Sequence, residues 1–274
     1  MAPMSAPNRR TVLRMGLGAA VGAIAVGATA LPKAVGQPAP TYRSGSFVSA
    51  ARGGVSTNWA IAQPPGQTAP LRPVIALHGK GSDAATVMAG GVEQGLAEAV
   101  AAGLPPFAVV AVDGGGSYWH DRDSGDDASE MVLDELIPML AGQRLDTSRV
   151  GFIGWSMGGY GALLLGARLG PARTAGICAV SPALWTSAGA AAPGAFDGEQ
   201  DYAANNVWGL TALGAIPIRI DCGNGDPFAA ATRQFIAQLP NPPAGGFSPG
   251  GHNDAFWSSQ LPAEISWLAP LLVA

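Results

Sequence analysis

Lysine, cysteine and histidine are all scarce in this chain of 274 residues. Only two lysines, Lys33 and Lys80, accompany thirteen arginines, and the formal net charge is −4, so no basic stripe exists to bind nucleic acid. The three histidines are far apart in sequence and lack ligand spacing, so we expect neither a metal site nor a cofactor. The two cysteines, Cys178 and Cys222, are too few for a disulfide framework. They could pair with each other, but both lie in apolar segments, which favours buried free thiols.

Charged residues are also few, at 12%, whereas hydrophobic residues make up 48% of the chain. This balance excludes a disordered chain and predicts a well-packed globule of one α/β domain or two small ones. The sequence has no internal repeat and no shift in composition within residues 45–274. We therefore predict one domain over 45–274.

The first thirty residues differ from the rest. Arg9-Arg10 and Arg14 precede a weakly apolar run, and Ala28-Thr29-Ala30 offers a small-x-small cleavage site. This order predicts a twin-arginine-type export signal over 1–30 and a linker over 31–44, with the mature protein secreted, periplasmic or in the cell envelope. The alternative is an uncleaved membrane anchor, but the run is at the lower limit for spanning, so we expect no stable membrane insertion after cleavage.

Strand-like and helix-like segments alternate along the domain. Two short runs flanking Gly53-Gly54 predict an N-terminal antiparallel hairpin, and later apolar runs predict parallel strands buried on both faces. The fold class is thus α/β, with a mostly parallel doubly wound sheet. The predicted strands are 46–52, 55–62, 73–78, 107–112, 150–154, 175–180 and 216–222. The predicted helices are 85–102, 128–140, 161–168, 227–239 and 262–273, with Pro138 expected to kink or shorten the second.

Gly154-Trp155-Ser156-Met157-Gly158 joins a predicted strand to a predicted helix. A turn tight enough to project a serine Oγ strains the serine backbone and brings residues two positions away into contact, so glycine is favoured on both sides. The helix amino terminus also supplies positive potential where negative charge develops. A plain strand-to-helix bend is the alternative, but it would not need both glycines. The pattern predicts Ser156 as a nucleophile.

A nucleophilic serine needs a base, and His252 is the candidate, in a loop of small residues before the last helix. His78 is expected to shape the turn at a strand end, and His120 to line the cleft. Asp226, in a turn after a strand, is the predicted acid that orients His252. Asp221 is its rival, but it falls inside the strand.

The backbone N–H groups of Met157 and of Lys80, in His-Gly-Lys-Gly, are the predicted oxyanion hole. Residues 181–215 form an insertion holding Phe196, Tyr202 and Trp208. These aromatics could belong to a small cap over the site or to a local core. The polar run 119–127 could form a pocket rim or a solvated loop.

The motifs Gly154–Gly159, Asp221–Phe228 and Gly250–His252 resemble the putative-esterase family of α/β-hydrolases. That family includes esterase D (S-formylglutathione hydrolase), feruloyl and enterochelin esterases and mycobacterial mycolyltransferases, and the likeness runs from about Pro73 to the end. The resemblance implies the α/β-hydrolase fold, with Ser156 as nucleophile, Asp226 as acid and His252 as base. The cytosolic thiol-ester hydrolases of the family lack an export signal, so we expect a cell-envelope or extracellular ester instead.

The function expected from these features is an exported serine hydrolase that cleaves small-molecule or cell-envelope carboxylic esters through an acyl-enzyme on Ser156. One alternative is an acyltransferase that passes the acyl group to a carbohydrate hydroxyl. Another is a non-catalytic binding protein on the same fold, against which the complete Ser–Asp–His set weighs. The oligomeric state is not indicated by the sequence.

Overall fold

The computed structural model describes residues 41–274, and within them eight strands form one sheet in the order β1-β2-β4-β3-β5-β6-β7-β8. Strand β2 runs antiparallel to both of its neighbours, and all pairs from β4 to β8 are parallel. The mostly parallel, doubly wound sheet is therefore confirmed. The strands are β1 (Thr41–Ser49), β2 (Val55–Gln63), β3 (Pro73–Leu77), β4 (Ala108–Val112), β5 (Val150–Trp155), β6 (Thr174–Val180), β7 (Ile218–Gly223) and β8 (Ala244–Ser248).

The predicted N-terminal hairpin is formed by β1 and β2. Gly53 and Gly54 turn the chain with φ of 65° and 88°, values that glycine adopts without steric cost. β1 begins at Thr41, four residues before the predicted domain boundary at 45, because the pairing with β2 continues to Thr41 opposite Gln63. The end of the predicted linker 31–44 is thus strand. The predicted export signal, 1–30, lies outside the described residues.

Helices cover both faces of the sheet. Helices α1, α2 and α8 pack on one face, and α3, α4 and α5 on the other, so each face has its own apolar core. The helices are α1 (Ala84–Val87), α2 (Glu93–Ala101), α3 (Ala128–Glu130), α4 (Ile137–Gly142), α5 (Met157–Leu169), α6 (Glu199–Asn205), α7 (Ala229–Gln238) and α8 (Asp254–Leu271). Among the helices of residues 41–274, none is both long enough and apolar enough to cross a bilayer.

Two predicted helices contain π-helical turns. Met88–Val92 joins α1 to α2, where Gly91 leaves the helical region with φ of 99°. Met131–Leu136 joins α3 to α4 and ends two residues before Pro138, which lacks the N–H that a regular helix would use. The wider turn accommodates the proline, and the helix continues past it to Gly142.

The C-terminal part differs from prediction in two places. β8 was not expected, because Ala-Gly-Gly-Phe-Ser has little strand propensity; it pairs with β7, and a side chain at Gly245 would contact the Ile220 carbonyl. Helix α8 begins at Asp254, eight residues before the predicted start at Pro262. Asn253 caps it by accepting from the Phe256 N–H at 3.0 Å, and Pro262 lies inside the helix.

Candidate active site

The structure brings Ser156, His252 and Asp226 into one chain of hydrogen bonds. His252 Nε2 lies 2.8 Å from Ser156 Oγ, and His252 Nδ1 lies 2.8 Å from Asp226 Oδ2. Each residue follows a different parallel strand: Ser156 follows β5, Asp226 follows β7 and His252 follows β8. The carboxyl ends of parallel strands meet at one edge of the sheet, which is why residues 26 to 96 positions apart in sequence converge.

Ser156 occupies a strained backbone conformation between β5 and α5. Its φ and ψ are 57° and −115°, in a region that residues with a side chain rarely adopt. A Cβ at Gly154 would collide with the Gly158 carbonyl, and a Cβ at Gly158 would collide with the carbonyl of Leu77. Both glycines are therefore sterically required, and α5 begins directly after the serine rather than at the predicted residue 161.

Asp226 is held as a buried carboxylate. Its side chain has no exposed surface, its Oδ2 faces His252, and its Oδ1 accepts from the Phe228 N–H at 2.8 Å. Burial acts to raise the pKa of Asp226, but the hydrogen bonds with His252 and from the Phe228 N–H lower it below its usual value. The group facing Nδ1 of His252 is therefore anionic at neutral pH.

Asp221, the rival acid, lies elsewhere. Its carboxylate binds Arg219 through both oxygens, at 2.6 and 3.1 Å, and it makes no contact with His252 in the described residues. Burial raises the pKa of Asp221, and the ion pair with Arg219 opposes that shift. The side chain belongs to the interface between β7 and α8, so the structure selects Asp226 rather than Asp221 as the partner of His252.

The loop after β3 lies against the nucleophile. His78 is buried, donates from Nδ1 to the Gly79 carbonyl at 2.8 Å and accepts the Gly114 N–H at Nε2. Burial lowers its pKa, which fits this neutral tautomer, and the turn-shaping role expected for His78 agrees with these bonds. A Cβ at Gly79 would lie 3.3 Å from the Trp155 carbonyl oxygen, so the loop approaches Ser156 closely.

The predicted oxyanion donors lie on both sides of this contact. Lys80 follows Gly79 in the loop, and Met157 begins α5, a helix of 13 residues. Within residues 41–274, neither backbone N–H donates to a protein acceptor. Two free N–H groups beside Ser156, one of them at a helix amino terminus, can stabilise a negative oxygen there.

Ser156 and His252 open into a pocket of about 640 Å³. One wall is the 78–82 loop, a second wall is the segment from Thr86 to Val92, and a third is the first two turns of α8, which contribute Trp257 and Leu261. The sequence analysis did not identify these walls. Gly90-Gly91 within a predicted helix was the available signal, because paired glycines interrupt a helix and π turns are frequent at functional sites.

The insertion after β6 does not contribute to this pocket. Its aromatic residues pack together on the α5 side: Phe196 meets Tyr160 edge-on at 5.9 Å, and Tyr202 Oη and Trp208 Nε1 both donate to the Trp185 carbonyl. In the described chain, no residue of the insertion lines the pocket. The local-core interpretation of Phe196, Tyr202 and Trp208 is therefore the correct one.

The polar run 119–127 anchors that insertion. His120 is fully buried, stacks on Phe196 at 5.1 Å and contacts the Ala195 carbonyl, so the expectation that it lines the cleft is wrong. Arg122 forms a two-bond ion pair with Asp197, which lowers the pKa of that carboxyl. Neither a pocket rim nor a fully solvated loop describes this run.

One group of possible metal ligands occurs in the described chain, away from the site. Cys178, Asp221 and Glu264 place ligand atoms within 4.8 Å of one another, all buried. Arg219 already binds both oxygens of Asp221, and burial raises the pKa of Cys178 and of Glu264, which keeps both protonated. Metal ligands must be deprotonated and free, so this donor set does not suit a metal ion. Cys178 and Cys222 are both free and buried.

Comparison with known proteins agrees with this geometry. A family model described as "Putative esterase" matches residues 54–268, well over half of the chain. The fold is similar to a ferulic acid esterase (17% identity over 85% of this chain and 99% of that one, TM-score 0.75). It is also similar to an S-formylglutathione hydrolase from Agrobacterium tumefaciens (21% identity over 85% of this chain and 96% of that one, TM-score 0.70). A third similar structure is the fluorophosphonate-binding serine hydrolase FphF of Staphylococcus aureus (20% identity over 85% of this chain and 99% of that one, TM-score 0.65). No curated protein sequence matches the chain.

Proposed function

We propose that this chain, which belongs to the putative esterase family, is an exported serine hydrolase that cleaves carboxylic esters through an acyl-enzyme on Ser156. The observation that carries the proposal is the hydrogen-bond chain from Ser156 through His252 to Asp226, with both contacts at 2.8 Å. It lies at the base of a pocket that can admit an ester. A base within 2.6–3.2 Å of a serine hydroxyl, oriented by a buried carboxylate, is the arrangement that acyl transfer requires.

In the first step His252 Nε2 accepts the proton of Ser156 Oγ as the oxygen attacks the ester carbonyl carbon. The carbonyl oxygen becomes an alkoxide, for which the free N–H groups of Lys80 and Met157 are the donors. The tetrahedral intermediate then collapses. The bond from carbon to the alcohol oxygen breaks, and the departing alcohol takes the proton from His252, leaving the acyl group on Ser156.

In the second step His252 removes a proton from water, and the hydroxide formed attacks the acyl carbonyl. The bond to Ser156 Oγ breaks, the serine recovers its proton from His252, and the carboxylic acid leaves. Asp226 keeps the proton of neutral His252 on Nδ1, so that Nε2 is free to accept, and its charge stabilises the imidazolium formed in both steps. One His252 thus serves as base and acid in turn.

Export is the part of the proposal that depends on residues 1–30 alone. Arg9-Arg10, the apolar run and the Ala-x-Ala end support delivery of the folded enzyme across the membrane. A substrate outside the cytoplasm follows from this, in the form of a small-molecule or cell-envelope ester. Fractionation of cells carrying the Arg9→Lys, Arg10→Lys double variant tests it: the variant should stay in the cytoplasm, and export at the wild-type level would contradict the signal assignment.

The catalytic proposal is tested by treating the purified enzyme with a fluorophosphonate probe and with p-nitrophenyl acetate. Wild type should be labelled once and hydrolyse the ester, and Ser156→Ala should lose both properties. Ser258→Ala is a matched control, because Ser258 lines the same pocket but has no hydrogen bond to His252. Equal labelling of Ser156→Ala and wild type would refute the nucleophile assignment.

The same acyl-enzyme can serve an acyltransferase if a sugar hydroxyl replaces water in the second step. Addition of a soluble sugar at constant ester concentration separates the two acceptors. An esterase releases acid in proportion to p-nitrophenol whatever sugar is present. Formation of a sugar ester at the expense of free acid would instead establish transfer.

A further inference from the structure

The pocket beside Ser156 ends in an apolar partition. Trp155, Val92 and Leu261 line its inner end, and the same three side chains line a second, closed cavity of about 10 Å³ behind them. All other residues of that second cavity are apolar and come from β3, β4, β5, α8 and the residue directly before β4. The open pocket and the closed cavity are thus separated by one layer of three side chains.

One side wall of the pocket is formed by residues with a small side chain or none. Gly90 lies in the π turn and lines the pocket, and a Cβ built on it would meet no atom within 4 Å. Its neighbour Ala89 also lines the pocket and carries only a methyl group. A larger side chain at Gly90 would therefore meet no protein atom and would narrow the pocket that this glycine lines.

The two parts of an ester have different requirements at this site. The alcohol must take its proton from His252 and leave before water enters, and the His252 side chain is 22% exposed. A pocket closed at its inner end by apolar side chains cannot release a product in that direction. It suits the part of the ester that stays attached to Ser156 between the two steps, which is the acyl group.

We infer that the pocket binds a linear apolar acyl chain and that Leu261, with Val92 and Trp155, sets the longest chain accepted. This inference rests on the proposed acyl-enzyme function and adds the substrate class and the residue that limits it. Burial of each methylene group contributes about a fourfold gain in kcat/KM while the pocket has room. The gain should stop when the chain end reaches the partition.

The experiment measures kcat/KM of the purified enzyme for p-nitrophenyl esters with acyl chains of increasing length. Leu261→Ala opens the partition into the closed cavity, so the optimum should move to longer chains, with a gain of about fourfold for each further methylene group. Leu268→Ala is the matched control. Leu268 is on the same helix and lines only the closed cavity, so its truncation enlarges that cavity and leaves the partition intact.

A second pair of variants tests the side wall and does not remove core packing. Gly90→Val should lower kcat/KM for long acyl chains about tenfold more than it lowers kcat/KM for acetate, because only a long chain reaches the side wall. Gly142→Val is its control, since Gly142 ends α4, also meets no atom within 4 Å and lies outside the pocket. This pair keeps the inference testable if Leu261→Ala fails to fold.

The outcome is read together with fluorophosphonate labelling of every variant. If labelling and acetate hydrolysis persist but neither Leu261→Ala nor Gly90→Val changes the chain-length profile, the acyl-pocket inference is wrong and the proposed function stands. If the profile moves in a series of acetate esters with varied alcohols instead, the pocket binds the alcohol, which also overturns the inference. Loss of labelling in wild type would refute the proposed function itself.

Discussion

Replacement of Asp226 by asparagine keeps the size of the side chain that holds His252 and removes its charge. In the structure Asp226 Oδ1 accepts the Phe228 N–H and Oδ2 faces His252 Nδ1, both at 2.8 Å. The Phe228 N–H needs an acceptor, so the asparagine would keep its carbonyl oxygen there and turn its NH₂ group toward His252. Nδ1 must then accept, and the imidazole proton moves to Nε2, where the ring cannot accept the proton of Ser156.

The size of the effect follows from these contacts. A hydrogen bond to a charged group contributes about 1.5–3 kcal/mol, and the imidazolium of both steps loses this bond. The wrong tautomer adds to that loss, because only a minor population of His252 remains active. We expect kcat of Asp226→Asn to fall about 10³- to 10⁴-fold, which corresponds to about 4–5.5 kcal/mol in the barrier.

The assay is the rate of p-nitrophenyl acetate hydrolysis by Asp226→Asn, with Asp221→Asn as control. Asp221 binds Arg219 and not His252, so its variant should lose thermal stability and keep its kcat. The reasoning is refuted if Asp221→Asn lowers kcat more than Asp226→Asn, or if Asp226→Asn retains wild-type kcat.

Two further predictions concern packing and pH. Gly158→Ala should abolish activity and lower the unfolding free energy by about 3 kcal/mol, because its Cβ collides with the Leu77 carbonyl. The control Gly142→Ala should do neither, because a Cβ there meets no atom within 4 Å. Equal thermal unfolding of the two variants would contradict this. Burial raises the pKa of Glu264 in the folded protein, whereas this carboxyl ionises at about pH 4.3 in the unfolded chain. Below that pH the carboxyl is protonated in both states and costs no stability. As the pH rises above it, only the unfolded chain ionises, so the folded protein loses stability. Urea unfolding should therefore find Glu264→Gln more stable than wild type at pH 8 but not at pH 4, and parallel pH dependence of the two proteins would contradict this.

The turn around Ser156 could be predicted because its requirement is local. Two backbone segments must pass within contact distance on either side of one serine, and only glycine at 154 and 158 permits this. The continuously apolar strands were predictable for a similar reason, since strands covered on both faces need no alternation. Asp226 and His252 could be predicted because Asp226 lies in a turn after a strand and His252 in a loop before the last helix. Their motifs also resemble those of the putative-esterase family.

The parts that were missed depend on neighbours. β8 has a glycine-rich sequence, and its pairing with β7 supplies what its own residues do not. Helix α8 contains Pro262, which from sequence alone marks a helix start, but Asn253 caps the helix earlier. His120 was expected to line the cleft because it follows a predicted strand but precedes Ser156 in the chain, which is the wrong order for the base. The stack with Phe196 instead places it in the interior.

The sequence by itself determined the fold class, the serine turn and the short set of residues that could act with it. These features follow from hydrophobic patterning and from glycine sterics, which act over a few residues. Only the tertiary structure decided between Asp226 and Asp221, placed the insertion's aromatics in a core, and located the pocket between the π turn and α8. Those outcomes depend on which strand ends and helix faces meet, and residues far apart in sequence meet only after the sheet has formed.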